Sequence, residues 1–291
     1  MELKLGKLPA KVDKRTIKLS SIIRKKLLPD LPVSYNVDES LGGIDDDRMF
    51  ANDRYGNCVI AARAHQTFRF EKFEQKKQIP ITDQEVIDQY KEETGGGPGW
   101  EQRGLYILNS LKTWRKDGWK VGGKGYTIYA FASVNWKNHD EVKHCIHLLG
   151  GVNFGMLVYQ SDMEQFKLGK DWELGPSSGS FLGGHGVYLY AYQYKHNDCP
   201  HCVFGWNEDG LLCMTWGKRQ KMSWEFWDAR VDEAYGIVDD RNKWMGNSPV
   251  DVKELDKQLK EITGESQKEI PCPIARAAVK GTKILLKGLG W

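Results

Sequence analysis

Asn52-Asp53-Arg54-Tyr55-Gly56-Asn57-Cys58 is a polar loop that ends by delivering a cysteine to the start of an apolar helix. Cys58, Ala61, Ala62, His65 and Phe68 recur at helical spacing and predict a helix to about Lys77 with one apolar face. A thiol at that position feels the positive end of the helix dipole, which lowers its pKa and raises the reactive thiolate fraction. For a lone cysteine the plainer reading is a small buried residue. Further along, Gly183-Gly184-His185-Gly186-Val187 leads a histidine directly into an apolar strand. The glycines let backbone or ligand come close. Alone, such a histidine is more often satisfied by its neighbours than catalytic. A helix-opening Cys followed roughly 130 residues later by a strand-opening His strengthens both readings, because that order and spacing suit a Cys–His nucleophile and base.

Around these two stretches the pattern changes from helical to extended. Thr82 with Glu85 forms a capping box for a helix through Tyr90, and Gly104 to Lys116 carries Leu105, Leu108, Leu111 and Trp114 at helical spacing. Gly95-Gly96-Gly97-Pro98-Gly99 is a loop. Later, Tyr126–Val134, Asn153–Tyr159, Val187–Tyr194 and Leu211–Thr215 read as strands, with a helix over Asp140–Leu149 and a Gly/Ser-rich loop over Gly175–Gly184. Helices first and strands second predict an α+β protein, a helical lobe packed on an antiparallel sheet lobe. The expected divisions are a basic N-terminal arm over 1–45, the domain over 46–245 and a C-terminal helical appendage over 246–291, whose helix runs from Val252 to Ile262.

The phrases Asn52–Cys58, Gly183–Val187 and Thr215-Trp216-Gly217, with Met222–Trp227 and Asp232-Glu233-Ala234-Tyr235, resemble the papain-like cysteine peptidase superfamily, within it a branch found in bacteria and tailed phages. The likeness covers about residues 30–238, and Leu31–Tyr35 resembles the start of a mature enzyme. The resemblance implies that Cys58 is the nucleophile and His185 its base. It places Asn52 where the family has a Gln that donates to the oxyanion hole, beside the backbone N–H of Cys58. Where the family orients its His with an Asn, this chain has Met214, which offers no amide oxygen. Asn207, Asp209 or Thr215 are the candidate substitutes, a dyad without a third member and a degenerate site are the other readings, and Trp216 is placed to shield the imidazole.

Bulk properties set the remaining bounds. A net charge of +3 over 291 residues gives no argument for a nucleic-acid partner. The arm is nevertheless basic, with Lys4, Lys7, Lys11, Lys14, Arg15, Lys18, Arg24, Lys25 and Lys26, and is expected to be solvated. Eleven Trp suit an aromatic-walled cleft or, more commonly, a Trp-rich core. No apolar run reaches the roughly 20 residues of a membrane span, and no signal peptide is legible. Six scattered Cys suit a reducing compartment, so a cytoplasmic protein is expected, or a virion-associated one if it comes from a phage. Cys199-Pro200-His201-Cys202, with His196 and Cys213, has the spacing of half a zinc knuckle but no matching second half; a hairpin tip without metal is expected. His139, His144 and His147 lack a converging cluster, and no metal or cofactor is expected. Three functions compete: a thiol hydrolase on peptide or isopeptide bonds, acyl transfer by the same dyad, and a catalytically degenerate scaffold that binds or builds a larger particle through its arm and tail.

Overall fold

Residues 3–193, 209–239 and 249–264 are described by the computed structural model. Asn207, His196, the Cys199–Cys202 segment and Cys272 lie outside the described residues. The chain divides into two compact units, Met1–Asp251 and Val252–Trp291.

In the first unit the helices are α1 (Leu19–Ile22), α2 (Val37–Ser40), α3 (Cys58–Gln75), α4 (Asp83–Thr94), α5 (Ile107–Lys116), α6 (His139–Leu149), α7 (Gln160–Lys167) and α8 (Trp224–Arg230). The strands are β1 (Ser34–Asn36), β2 (Trp119–Val121), β3 (Lys124–Tyr126), β4 (Ala130–Ser133), β5 (Val152–Tyr159), β6 (Phe181–Gln193), β7 (Gly210–Thr215), β8 (Lys218–Met222) and β9 (Val231–Val238). The second unit is described through α9 (Val252–Thr263), where Leu255 and Leu259 share one face.

Among the described residues the main sheet runs β4-β9-β5-β6-β7-β8 with β1 added to β6, every pair antiparallel. The helical lobe packs Val59, Ile60, Ala64 and Phe68 of α3 with Val86 and Tyr90 of α4 and Leu108, Leu111 and Trp114 of α5. Tyr235 and Ile237 of β9 close that core from the sheet side. The two lobes of helix and antiparallel sheet are those the sequence predicts.

Helix α3 departs from the predicted single apolar face. It is buried almost all round, Arg63, Arg69 and Glu71 included, because the sheet covers one side and α4 and α5 the other. Its charges are paired accordingly. Arg69 is bidentate to Asp38 at 2.8 and 2.9 Å and reaches Asp46 at 2.6 Å, while His65 Nδ1 lies 2.7 Å from the same Asp46. Those bonds pin the chain between α2 and Asp46, just ahead of the loop that presents Cys58.

Other boundaries also move. The helix read from Gly104 begins only at Ile107, since Gly104 has φ +64° and Leu105 is extended. The Gly/Ser loop ends at Ser180, and β6 already includes Phe181–Gly184. Much of the tryptophan is core, with Trp114, Trp172 and Trp227 fully buried.

Candidate active site

Cys58 opens α3 after a loop in which Phe50 and Ala51 both take positive φ, 53° and 58°. Asn57 Nδ2 donates to Phe50 O at 2.7 Å and holds that bend. Opposite, β6 brings Gly186 against the first turn of α3. A Cβ at Gly186 would lie 3.1 Å from Val59 Cγ2 and 3.2 Å from its Cα, so this approach needs a residue without one. As a result the Gly186 N–H donates to Cys58 Sγ at 3.3 Å, and His185, the preceding residue, stands at the same junction of helix and sheet.

His185 is 1 % exposed and lies flat on Trp216, ring centroids 3.9 Å apart and planes at 15°. Its Nε2 is 2.6 Å from Thr215 Oγ1, and its Nδ1 is buried without a partner. Trp216 and Gly217 form the two-residue turn between β7 and β8, with φ +43° and +70°, as a tight hairpin requires. A bulky residue at positive φ stores strain, and here the strained residue is the one under the imidazole. Of the orienting candidates, Thr215 reaches His185. Asp209 sits just before β7, at the end of the strand away from Thr215. Asn207 falls outside the described residues.

The cleft between α3 and β6 is occupied by the chain's own N-terminus. Lys4 N donates to Asn52 O at 3.0 Å, Lys7 N to Gly184 O at 3.0 Å and Leu8 N to Leu105 O at 2.9 Å, while Leu105 N donates to Gly6 O at 2.7 Å. Residues 4–8 thus lie as an extended peptide between two rails, antiparallel to Gly184 and parallel to Leu105. The Gly6 N–H, on the sulfur side of the arm, lowers the Cys58 pKa as that of Gly186 does. A Cβ at Gly6 would overlap the carbonyl of Gly56, so only glycine passes there. Asn52 is buried, its Nδ2 donating to Tyr55 O at 2.9 Å and to the arm's Lys4 O at 3.4 Å, an oxygen that also accepts from Trp216 Nε1 at 3.2 Å.

Lys11, Lys14, Arg15, Lys18, Lys25 and Lys26 are exposed, as expected of a solvated arm, but Lys7 departs from it: it is 4 % exposed, because its ammonium meets Asp232 and Glu233 inside the protein. Lys7, Leu105 and this acidic pair are the site residues that sequence reasoning missed. Nothing distinguishes Lys7 from the other arm lysines in the sequence.

Covering the site sets its electrostatics. Burial pushes the Cys58 thiol up to about 11, against the pull of the Gly186, Gly6 and Val59 amides and the Lys7 charge. Burial also pushes His185 down to about 3. The covered pair is therefore a neutral thiol and a neutral imidazole. Of the histidines on α6, His139 Nε2 is 2.9 Å from Asp228 and its ring stacks on Trp224, and His144 Nδ1 is 2.8 Å from Asp140 O.

No protein-family model matches the chain, and no curated sequence does. Solved structures do. Xylellain, a cysteine protease from Xylella fastidiosa, aligns over 82 % of this chain and 97 % of its own, at TM-score 0.59 and 15 % identity. Procathepsin B from Trypanosoma congolense aligns over 81 % and 86 %, at 0.54 and 10 %. A cysteine protease from Carica candamarcensis, solved with E-64, aligns over 72 % and 99 %, at 0.51 and 14 %. The fold is papain-like. In the papain-like frame the helix-opening Cys58 and the strand-borne His185 stand on the two lobes, with the chain's own residues 4–8 between the rails at Gly184 and Leu105. Among the described residues no helix is long and apolar enough to cross a membrane.

Proposed function

We propose that the chain is a latent thiol hydrolase of the cysteine-peptidase kind, acting on a peptide or isopeptide bond. Cys58 attacks the acyl carbon, His185 takes the thiol proton and returns it to the leaving amine, and water then hydrolyses the thioester. The Cys58 N–H and the Asn52 amide are the donors for the oxyanion. With Nε2–H donating to Thr215, the Nδ1 lone pair is left free for the proton.

The observation that carries this reading is that a peptide already lies in the cleft, its backbone held on both sides and its Gly6 at the Cys58 sulfur. The Gly6 carbonyl is committed to Leu105, whose N–H it accepts at 2.7 Å, so the arm acts as a plug over the thiol and is not its substrate. Four backbone hydrogen bonds, each worth about 0.5–1.5 kcal/mol net, hold the arm in place, together with the buried Lys7 ion pair and the donors on Lys4 O.

The same closure favours the scaffold reading if the arm never leaves. Gly6→Leu separates the two, because the larger residue cannot pass Gly56. In the native chain iodoacetamide should react slowly with Cys58. In Gly6→Leu the rate should rise at least about tenfold, and His185→Ala in that background should lower it again at neutral pH. If Cys58 of Gly6→Leu alkylates no faster than the buried Cys145, the hydrolase reading fails and the scaffold replaces it.

A further inference from the structure

We propose that the pocket now filled by Lys7 is a substrate pocket selecting a basic side chain, arginine above lysine, one residue removed from the acyl group that Cys58 attacks. The inference rests on the reading of Cys58 and His185 as the reacting pair.

Lys7 is the arm residue next to Gly6, and Gly6 packs against the carbonyl of Gly56, two residues before Cys58. Its backbone is held by Gly184 while its neighbours bond Leu105, so its side chain turns inward. The stem crosses β5 at Gly155, where a Cβ would overlap Lys7 Cε and Cδ. The ammonium ends 2.6 Å from Asp232 Oδ2 and 3.2 Å from Glu233 Oε1, its side chain wholly buried.

Asp232 and Glu233 are consecutive on β9, and consecutive strand residues ordinarily point to opposite faces. They converge here because the β5–β9 register slips between Gly155 and Met156: Gly155 pairs with Glu233 and Met156 with Val231, leaving Asp232 as the extra residue of a bulge. Bulges re-aim side chains in this way beside active sites. Two carboxylates meet one ammonium; Glu233 is engaged at both oxygens, by Lys7 and by the Tyr235 hydroxyl at 3.0 Å, while Asp232 Oδ1 is buried with no hydrogen-bond donor. A guanidinium, with five N–H groups in one plane, supplies the donors that an ammonium lacks. The unpartnered Asp232 oxygen beside the Lys7 ammonium points to an arginine, whose fork reaches one more acceptor.

The test uses the full chain carrying Gly6→Leu, in which the arm is displaced, with Lys7→Ala as a second route that vacates the pocket without added bulk. Iodoacetamide first reports whether Cys58 is open. Acyl-Arg-Gly, acyl-Lys-Gly and acyl-Leu-Gly chloromethyl ketones then compete for it, with the modified residue located by mass spectrometry. The Arg probe should inactivate at least about tenfold faster than the Leu probe, with Lys between them. Asp232→Asn with Glu233→Gln should bring the Arg-to-Leu ratio close to one. Equal Arg and Leu rates at a Cys58 that iodoacetamide reaches, or a ratio that survives the double substitution, overturn the pocket alone. A Cys58 that stays unreactive in both opened variants overturns the hydrolase reading, and this inference with it.

Discussion

His185 is fixed from two directions and free in a third: Trp216 lies against the ring, Thr215 binds Nε2, and Nδ1 has no partner. A hydroxyl holds an imidazole less firmly than a carboxamide oxygen, because it can rotate to donate as well as accept. The orienting contact is therefore present in a weaker form than the Asn that the family resemblance implies. In the opened Gly6→Leu protein, Thr215→Val should lower kcat/KM on a peptide substrate by about a hundredfold, while iodoacetamide labelling of Cys58 falls much less. Thr215→Asn should restore much of the turnover. A Thr215→Val enzyme with full turnover would show that Trp216 alone suffices. Thr215 was legible as one of three candidates; between it and Asp209 the β7–β8 hairpin decides, setting Thr215 beside β6 and Asp209 at the strand's far end, while Asn207 lies outside the described residues.

At the scale of elements, the arm determines how the thiol titrates. With residues 4–8 in place, burial raises the thiol above its ordinary 9.0 to about 11. A raised thiol pKa means less thiolate at every pH below it, so alkylation of the native chain should climb steadily through the alkaline range. Displacing the arm readmits water and removes the largest cause of the shift. The pH–rate profile of Gly6→Leu should therefore move to lower pH than that of the native chain, measured as the midpoint of iodoacetamide reactivity. Coincident profiles would show that the walls of the cleft, and not the arm, bury the sulfur. The sequence marks this arm only by its lysines. Charge along a strand indicates a solvated face unless opposing carboxylates wait in the interior, and those come from β9, far along the chain.

Across the whole molecule, α3 is the axle between helical lobe and sheet, and its ion cluster joins them. Arg69 bonds Asp38 and Asp46 and lies 5.0 and 4.7 Å over the rings of Tyr188 and Tyr190 on β6. Burial opposes ionisation of Asp46, yet His65 and Arg69 together hold its carboxyl well below the usual carboxylate range. A depressed carboxylate pKa adds stability above the ordinary value, and that stability is lost as the pH falls through the acid range. Arg69→Met takes the bidentate partner from the buried Asp38 and leaves Asp46 with His65 alone, and should cost about 3–5 kcal/mol at neutral pH by denaturant unfolding. The deficit should narrow as the pH falls toward 4, since a protonated Asp46 no longer needs its partner. A deficit independent of pH would assign Arg69 a packing role only.

An α+β protein was legible in local patterns, helical spacing before extended spacing, and the papain-like expectation came from the resemblance carried by Asn52–Cys58, Gly183–Val187 and Thr215–Gly217. Those signals are written in neighbouring residues, since periodicity, caps and glycines act over a few positions. The sequence by itself also offered Cys58, His185 and Asn52 as candidate site residues, with Asn207, Asp209, Thr215 and Trp216 as candidates to orient or shield the imidazole. Tertiary structure alone decided that Thr215 meets the imidazole, that Lys7 is buried, and that residues 4–8 close the cleft. Each of these joins segments distant in the chain, Lys7 to Asp232, Gly6 to Leu105, His185 to Thr215. Such pairings depend on where the backbone packs, which no local pattern records.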